Sequence, residues 1–93
     1  PGRGGVVVYQ VMLTKSALKH IPLLKAAHLS DKAQALLEIL KRNPFQNPPA
    51  YEKLSGDLSG AYSRRINRQH RLVYTVDETQ RIVKVVAMWT HYE

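Results

Sequence analysis

The sequence predicts an α+β fold: a small, largely antiparallel sheet with two N-terminal helices packed on one face, in the order β-α-α-β-β-β. Three observations carry this expectation. The chain opens on a β-branched apolar run, continues through two stretches with helical apolar spacing, and ends in segments that alternate or run apolar at strand length. Ninety-three residues make one domain with one core. Residues 6–93 are read as that domain. Pro1 to Gly5 carries no initiating Met and is read as an expression scar or a disordered arm.

Val6 to Leu13 (VVVYQVML) is the first strand. Thr14 or Ser16 can cap the helix that follows. Ala17, Leu18, Ile21 and Leu24 share one face of it, and Lys15, Lys19 and Lys25 point away. Pro22 lies inside this pattern and either kinks the helix or starts a second short segment. Ser30 is the expected N-cap of the next helix, with Asp31 at the positive end of its dipole. Ala33, Leu36, Leu37 and Leu40 form its stripe, Lys41 and Arg42 suit its last turn, and Asn43-Pro44 ends it.

Residues 43–60 read as a proline-punctuated loop pinned by Phe45 and Leu54. Strands are expected from Gly60 to Asn67 and from His70 to Val76, joined by a turn at Arg68-Gln69. The polar Asp77 to Gln80 makes the next turn. Ile82 to His91, apolar on both faces, is the last and central strand.

Fourteen Lys and Arg against seven Asp and Glu give a net charge of +7. So large an excess on so small a body implies a polyanionic partner. No apolar run reaches the roughly 20 residues of a membrane span, and no basic helix with a strongly apolar face suggests a membrane surface. Nucleic acid is therefore the leading partner class. The opening segment lacks a signal-peptide pattern and there is no cysteine, which suits the cytoplasm and rules out disulfides and thiolate metal sites. His20, His28, His70 and His91 show no metal-binding spacing, so neither a metal nor another cofactor is expected. His20 and His28 read as helix-surface residues and His70 as structural.

The densest basic run is Ser63 to Tyr74, SRRINRQHRLVY, with Arg64, Arg65, Arg68 and Arg71. Arginine suits phosphate because its fork makes two charge-assisted hydrogen bonds. From spacing alone, a solvated basic hairpin accounts for the run about as well.

The order Leu58-Ser59-Gly60, Tyr62-Ser63-Arg64-Arg65-Ile66 and His70-Arg71-Leu72-Val73-Tyr74 resembles the signature of the YoeB/Txe family of the RelE superfamily. Tyr62 stands where that family usually has Trp. Asn43-Pro44-Phe45, the Pro48 to Leu54 loop and the terminal His91-Tyr92 extend the likeness over about Val8 to Tyr92. The resemblance implies a RelE-like fold and the toxin of a type II toxin–antitoxin pair. It also implies a ribosome-dependent endoribonuclease that cuts mRNA in the A site without a metal and so inhibits translation. The implied partners are a cognate acidic antitoxin of the YefM/Axe type, the ribosome with its mRNA, and a second copy, since YoeB-type members are often dimeric.

Metal-free RNA cleavage needs a base for the 2′-OH, an acid for the leaving 5′-oxygen, and cations around the phosphorane. By family match Glu52 is the base, His91 the acid, Arg71 a phosphate clamp, and Tyr92 a stacking or orienting group. Arg64, Arg65, Arg68 and Lys53 are the further RNA or phosphate contacts. The family commonly has Lys three residues after its loop Glu; here that position is Ser55, and Lys53 is the candidate substitute. Two other functions compete: a ParE-like inhibitor of DNA gyrase, and a basic protein that coats RNA or ribosomes without cutting. Neither needs Glu52 or His91.

Overall fold

The computed structural model describes residues 8–89. Five strands form one sheet in the order β1-β5-β4-β3-β2, and two helices follow β1 in the chain. The strands are β1 (Gln10–Leu13), β2 (Tyr51–Lys53), β3 (Ala61–Arg65), β4 (Arg71–Asp77) and β5 (Ile82–Ala87). The helices are α1 (Lys15–Ala26) and α2 (Ser30–Arg42). β1 runs parallel to β5, and the other neighbours are antiparallel. The α+β expectation holds, and the last strand lies inside the sheet as expected, between β1 and β4. One difference is that the loop read over 43–60 contains a strand, β2, and a short 3-10 turn at Gly56–Leu58.

Local chemistry explains the elements. Thr14 is extended, and its Oγ1 accepts from the Ala17 amide at 3.2 Å, so α1 starts there. Pro22 neither splits nor ends α1; one continuous helix carries it. His28 adopts a left-handed backbone (φ 60°), and the Leu29 amide returns to the Leu24 carbonyl at 2.8 Å, closing α1 and turning the chain. Ser30 is not the N-cap of α2. Leu29 holds that position without a side-chain bond, and Ser30 is already helical. The predicted turn before β4 is held by Asn67, whose Oδ1 accepts from the amides of Gln69 (2.9 Å) and His70 (2.7 Å). The turn before β5 is held by Asp77, whose Oδ1 accepts from the Gln80 amide at 3.0 Å.

The core lies between the helices and one face of the sheet. Ala17 and Leu24 of α1 and Ala33, Leu36 and Leu40 of α2 meet Leu72, Tyr74, Val83 and Val85. Strand alternation assigns the other face. Glu52, Ser63, Val73 and Ala87 stand in register across four strands, each adjacent in sequence to a residue on the helix side. This second face carries no helix among the described residues.

Candidate active site

On the helix-free face, β2 presents Glu52, β3 presents Ser63 and β4 presents Arg71. The Arg71 Nη1 lies 3.0 Å from Glu52 Oε1 and donates to Ser63 Oγ at 3.2 Å. The two charged groups differ in exposure. The Arg71 side chain is 13% exposed and the Glu52 side chain 62%. The guanidinium is thus fixed and largely desolvated, where its charge acts most strongly, while the carboxylate is open to an incoming molecule. Two residues singled out in the sequence, 19 positions apart, are brought into contact because β2 and β4 flank β3.

The remaining cationic candidates separate. Arg64 is not at a phosphate site; this corrects the expectation. Register puts it opposite Leu72 and Tyr51, on the helix side, and it is fully buried. Its guanidinium donates to the carbonyls of Pro49 (2.6 Å), Pro44 (2.9 Å) and Gln46 (2.9 Å) and lies 5.0 Å from the Tyr51 ring centre. Arg64 is the peg that folds the 44–49 loop against the sheet and so sets where β2 begins. Tyr74 assists by donating to the Pro44 carbonyl at 2.8 Å. Burial pushes the Tyr74 phenol up to about 12, against the opposing pull of Arg64, so it remains a donor at neutral pH. Tyr62, Phe45 and Tyr51 complete the aromatic cluster around this peg.

Lys53 follows Glu52 in β2 and pairs with Tyr62, so alternation turns it to the opposite face. The structure does not bring it to the Glu52–Arg71 pair. Arg65 ends β3 opposite Arg71, and Arg68 occupies the hairpin turn; both line a shallow groove that also contains Lys32. His91 and Tyr92 lie outside the described residues.

Two contacts lead toward that terminal segment. His70 is buried as expected, and its ring stacks on Trp89 at 3.8 Å. His20 is not a plain helix-surface residue: its Nδ1 accepts the Met88 amide at 3.0 Å, tying α1 to the end of β5. No sequence spacing marks this contact, because its partner is a backbone amide 68 residues away.

The sequence profile of the YoeB-like toxins of bacterial type II toxin–antitoxin systems matches residues 23–92. The chain belongs to this family. Within the matched span, the signature residues of this YoeB-like chain build β3, β4 and the turn between them, and thus Ser63, Arg71 and the Arg64 peg. Toxin YoeB of Synechocystis sp. is 37% identical over 65 residues, 70% of this chain and 73% of that protein. Toxin YoeB of Escherichia coli K12 is 38% identical over 52 residues, 56% of this chain and 62% of that one. A YoeB/ParE toxin from Agrobacterium tumefaciens superposes with a TM-score of 0.80 at 30% identity, covering 89% of this chain and 99% of its own. A YoeB-YefM complex from Staphylococcus aureus gives 0.75 at 32%, covering 90% and 98%. The YoeB-like chain therefore has the RelE/YoeB toxin fold and is a toxin of the type II toxin–antitoxin class.

Proposed function

We propose that this toxin is an endoribonuclease that cleaves mRNA in the ribosomal A site by metal-free acid–base chemistry. The observation that carries the reading is the Glu52–Arg71 contact on the helix-free face of the sheet, where the Glu52 side chain is 62% exposed. A base and a cation are there held within one phosphodiester's reach of each other.

In this reading Glu52 takes the proton of the ribose 2′-OH as the 2′-oxygen attacks the adjacent phosphorus. Arg71, held by Ser63, stabilises the charge that builds on the phosphorane oxygens. His91 protonates the departing 5′-oxygen, and Tyr92 orients the base or phosphate beside it. The products are a 2′,3′-cyclic phosphate and a 5′-OH, with hydrolysis of the ring giving a 3′-phosphate. The electron pair of the broken P–O5′ bond leaves with the 5′-oxygen, so no metal or co-reactant is required. A gyrase inhibitor or a passive RNA coat has no use for the Glu52–Arg71 pair.

The cognate partner in this reading is an acidic antitoxin, as YefM is for YoeB in the S. aureus complex. A homodimer has a precedent in the YoeB dimer of S. aureus, 31% identical with a TM-score of 0.75.

Ribosomes programmed with a defined message test the proposal. Mapped 5′-OH ends should appear within the A-site codon. Glu52→Ala and Arg71→Ala should each slow single-turnover cleavage by roughly 10²–10⁴-fold. His91→Ala should do the same on a natural linkage and recover on a linkage whose 5′-oxygen is replaced by sulfur, which departs without a proton. Wild-type protein that binds programmed ribosomes and leaves the message whole refutes the assignment.

A further inference from the structure

β1 stops pairing with β5 at Leu13, which stands opposite Val85. From there α1 supplies the partners. Its N-cap Thr14 donates from Oγ1 to the Val86 carbonyl at 3.3 Å, and His20, one turn further on, accepts the Met88 amide on Nδ1 at 3.0 Å. The strand itself ends at Ala87, opposite Val73. Met88 is 1% exposed, and a buried amide needs an acceptor. Because the His20 Nδ1 accepts, it carries no proton, so the ring proton is on Nε2.

The next residue is held by its side chain. The Trp89 ring stacks on His70, with centroids 3.8 Å apart and planes 17° from parallel. His70 is buried, its amide donates to Asn67 Oδ1 at 2.7 Å, and its carbonyl receives the Ile66 amide at 2.9 Å. It directly precedes Arg71 in sequence. The backbone at Met88 and the side chain of Trp89 are thus fixed to two different parts of the fold, α1 and the end of the turn before β4. Two residues of chain span at most about 7 Å. His91 follows Trp89 by two positions, so these two holds limit where its imidazole can act. A group that is already aligned with the reacting bond avoids the entropic cost of being ordered at each turnover.

We infer, on the reading of His91 as the general acid, that His20 is a positioning residue for it. By accepting the Met88 amide, His20 fixes, together with the His70–Trp89 stack, the point from which His91 reaches the bond being cut. In this role His20 acts through the chain and not on the RNA. A tie that only prevented fraying would change the folded fraction and leave the chemistry of the folded protein intact.

Ribosomes programmed with either the natural linkage or the 5′-sulfur linkage separate positioning from general damage. Single-turnover rates are taken at saturating toxin and expressed per folded molecule, with the folded fraction read by circular dichroism. His20→Ala should cut the natural linkage roughly 10–100-fold more slowly and the sulfur linkage within about twofold of wild type. His20→Asn keeps an acceptor, Oδ1, close to the place of Nδ1 and should run within about threefold of wild type on both linkages. Trp89→Leu removes the stack and leaves His20 in place; it should repeat the pattern of His20→Ala, and it carries the test if His20→Ala does not fold. His91→Ala is measured beside them. If it recovers on sulfur while either His20→Ala or Trp89→Leu is slow alike on both linkages, or matches wild type on both, the contact is a structural tie and the proposal is overturned with the acid assignment intact. His20→Asn as slow as His20→Ala overturns the hydrogen bond as its basis. If His91→Ala stays slow on sulfur, the acid assignment itself falls and the proposal falls with it.

Discussion

At the scale of single residues, Glu52 and Arg71 neutralise one another before substrate arrives. The 3.0 Å contact gives Arg71 a counter-ion that, in the proposed reaction, an RNA phosphate must compete with. Removing the charge of Glu52 should therefore separate binding from chemistry. Glu52→Gln should slow single-turnover cleavage by roughly 10²–10⁴-fold and tighten binding to programmed ribosomes by roughly two- to fivefold, the worth of a half-exposed ion pair. Filter binding at fixed salt measures this, and weaker binding by the Gln variant would show that Glu52 contributes contacts rather than competition. Arg64 makes the opposite case, an arginine whose work is internal. Its fork satisfies three carbonyls that no single ammonium can reach in the same geometry. Arg64→Lys should lower stability by about 3 kcal/mol, read from urea midpoints. Activity measured on the remaining folded fraction should fall too, because β2 and Glu52 hang from the loop that Arg64 holds.

At the scale of elements, what was legible in the sequence depended on how far each signal reached. Both helices and the β3, β4 and β5 strands are written in local periodicity, and their turns in Asn67 and Asp77 side chains that bond two or three residues away. β2 escaped that reading because three residues are too few to display alternation, and the prolines before it look like loop. Its existence depends on Arg64 folding the 44–49 loop onto the sheet. Within the arginine run, family likeness singled out Arg71 as the clamp and grouped Arg64, Arg65 and Arg68 as further RNA contacts. Register divides them: Arg64 faces the helices, Arg71 and its cross-strand partner Arg65 share the other face at the hairpin end, and Arg68 lies in the turn. The Glu52–Arg71 pair was reached through family likeness, since no spacing rule places residues 52 and 71 together. His20 was missed for a like reason, its partner being a distant amide. Replacing it tests the tie between α1 and β5. His20→Ala leaves the Met88 amide without its acceptor and should cost about 1–3 kcal/mol. Hydrogen exchange at Met88 should quicken relative to Val83 and Val85, and unchanged protection there would mean that solvent or another group replaces the imidazole without loss.

At the scale of the whole molecule, the +7 charge and the sheet order act together. The helices cover one face of the sheet and Arg71 stands on the other, while Arg68 sits at the hairpin end and Lys15, Lys19, Lys25, Lys32, Lys41 and Arg42 are carried by the helices, so positive charge surrounds the sheet. The sheet also joins the two ends of the described chain. β1 pairs with β5, and Thr14 Oγ1 bonds to the Val86 carbonyl across 72 residues. A helix can form as soon as its residues exist, but this edge cannot close until β5 has been made, about 70 residues after β1. The central strand that receives β1 is also the last strand of the sheet to leave the ribosome during synthesis. A toxin built in this order keeps its sheet unfinished until β5 is out. The machine it is proposed to attack has therefore released every strand of the sheet before the sheet that carries Glu52 and Arg71 is complete.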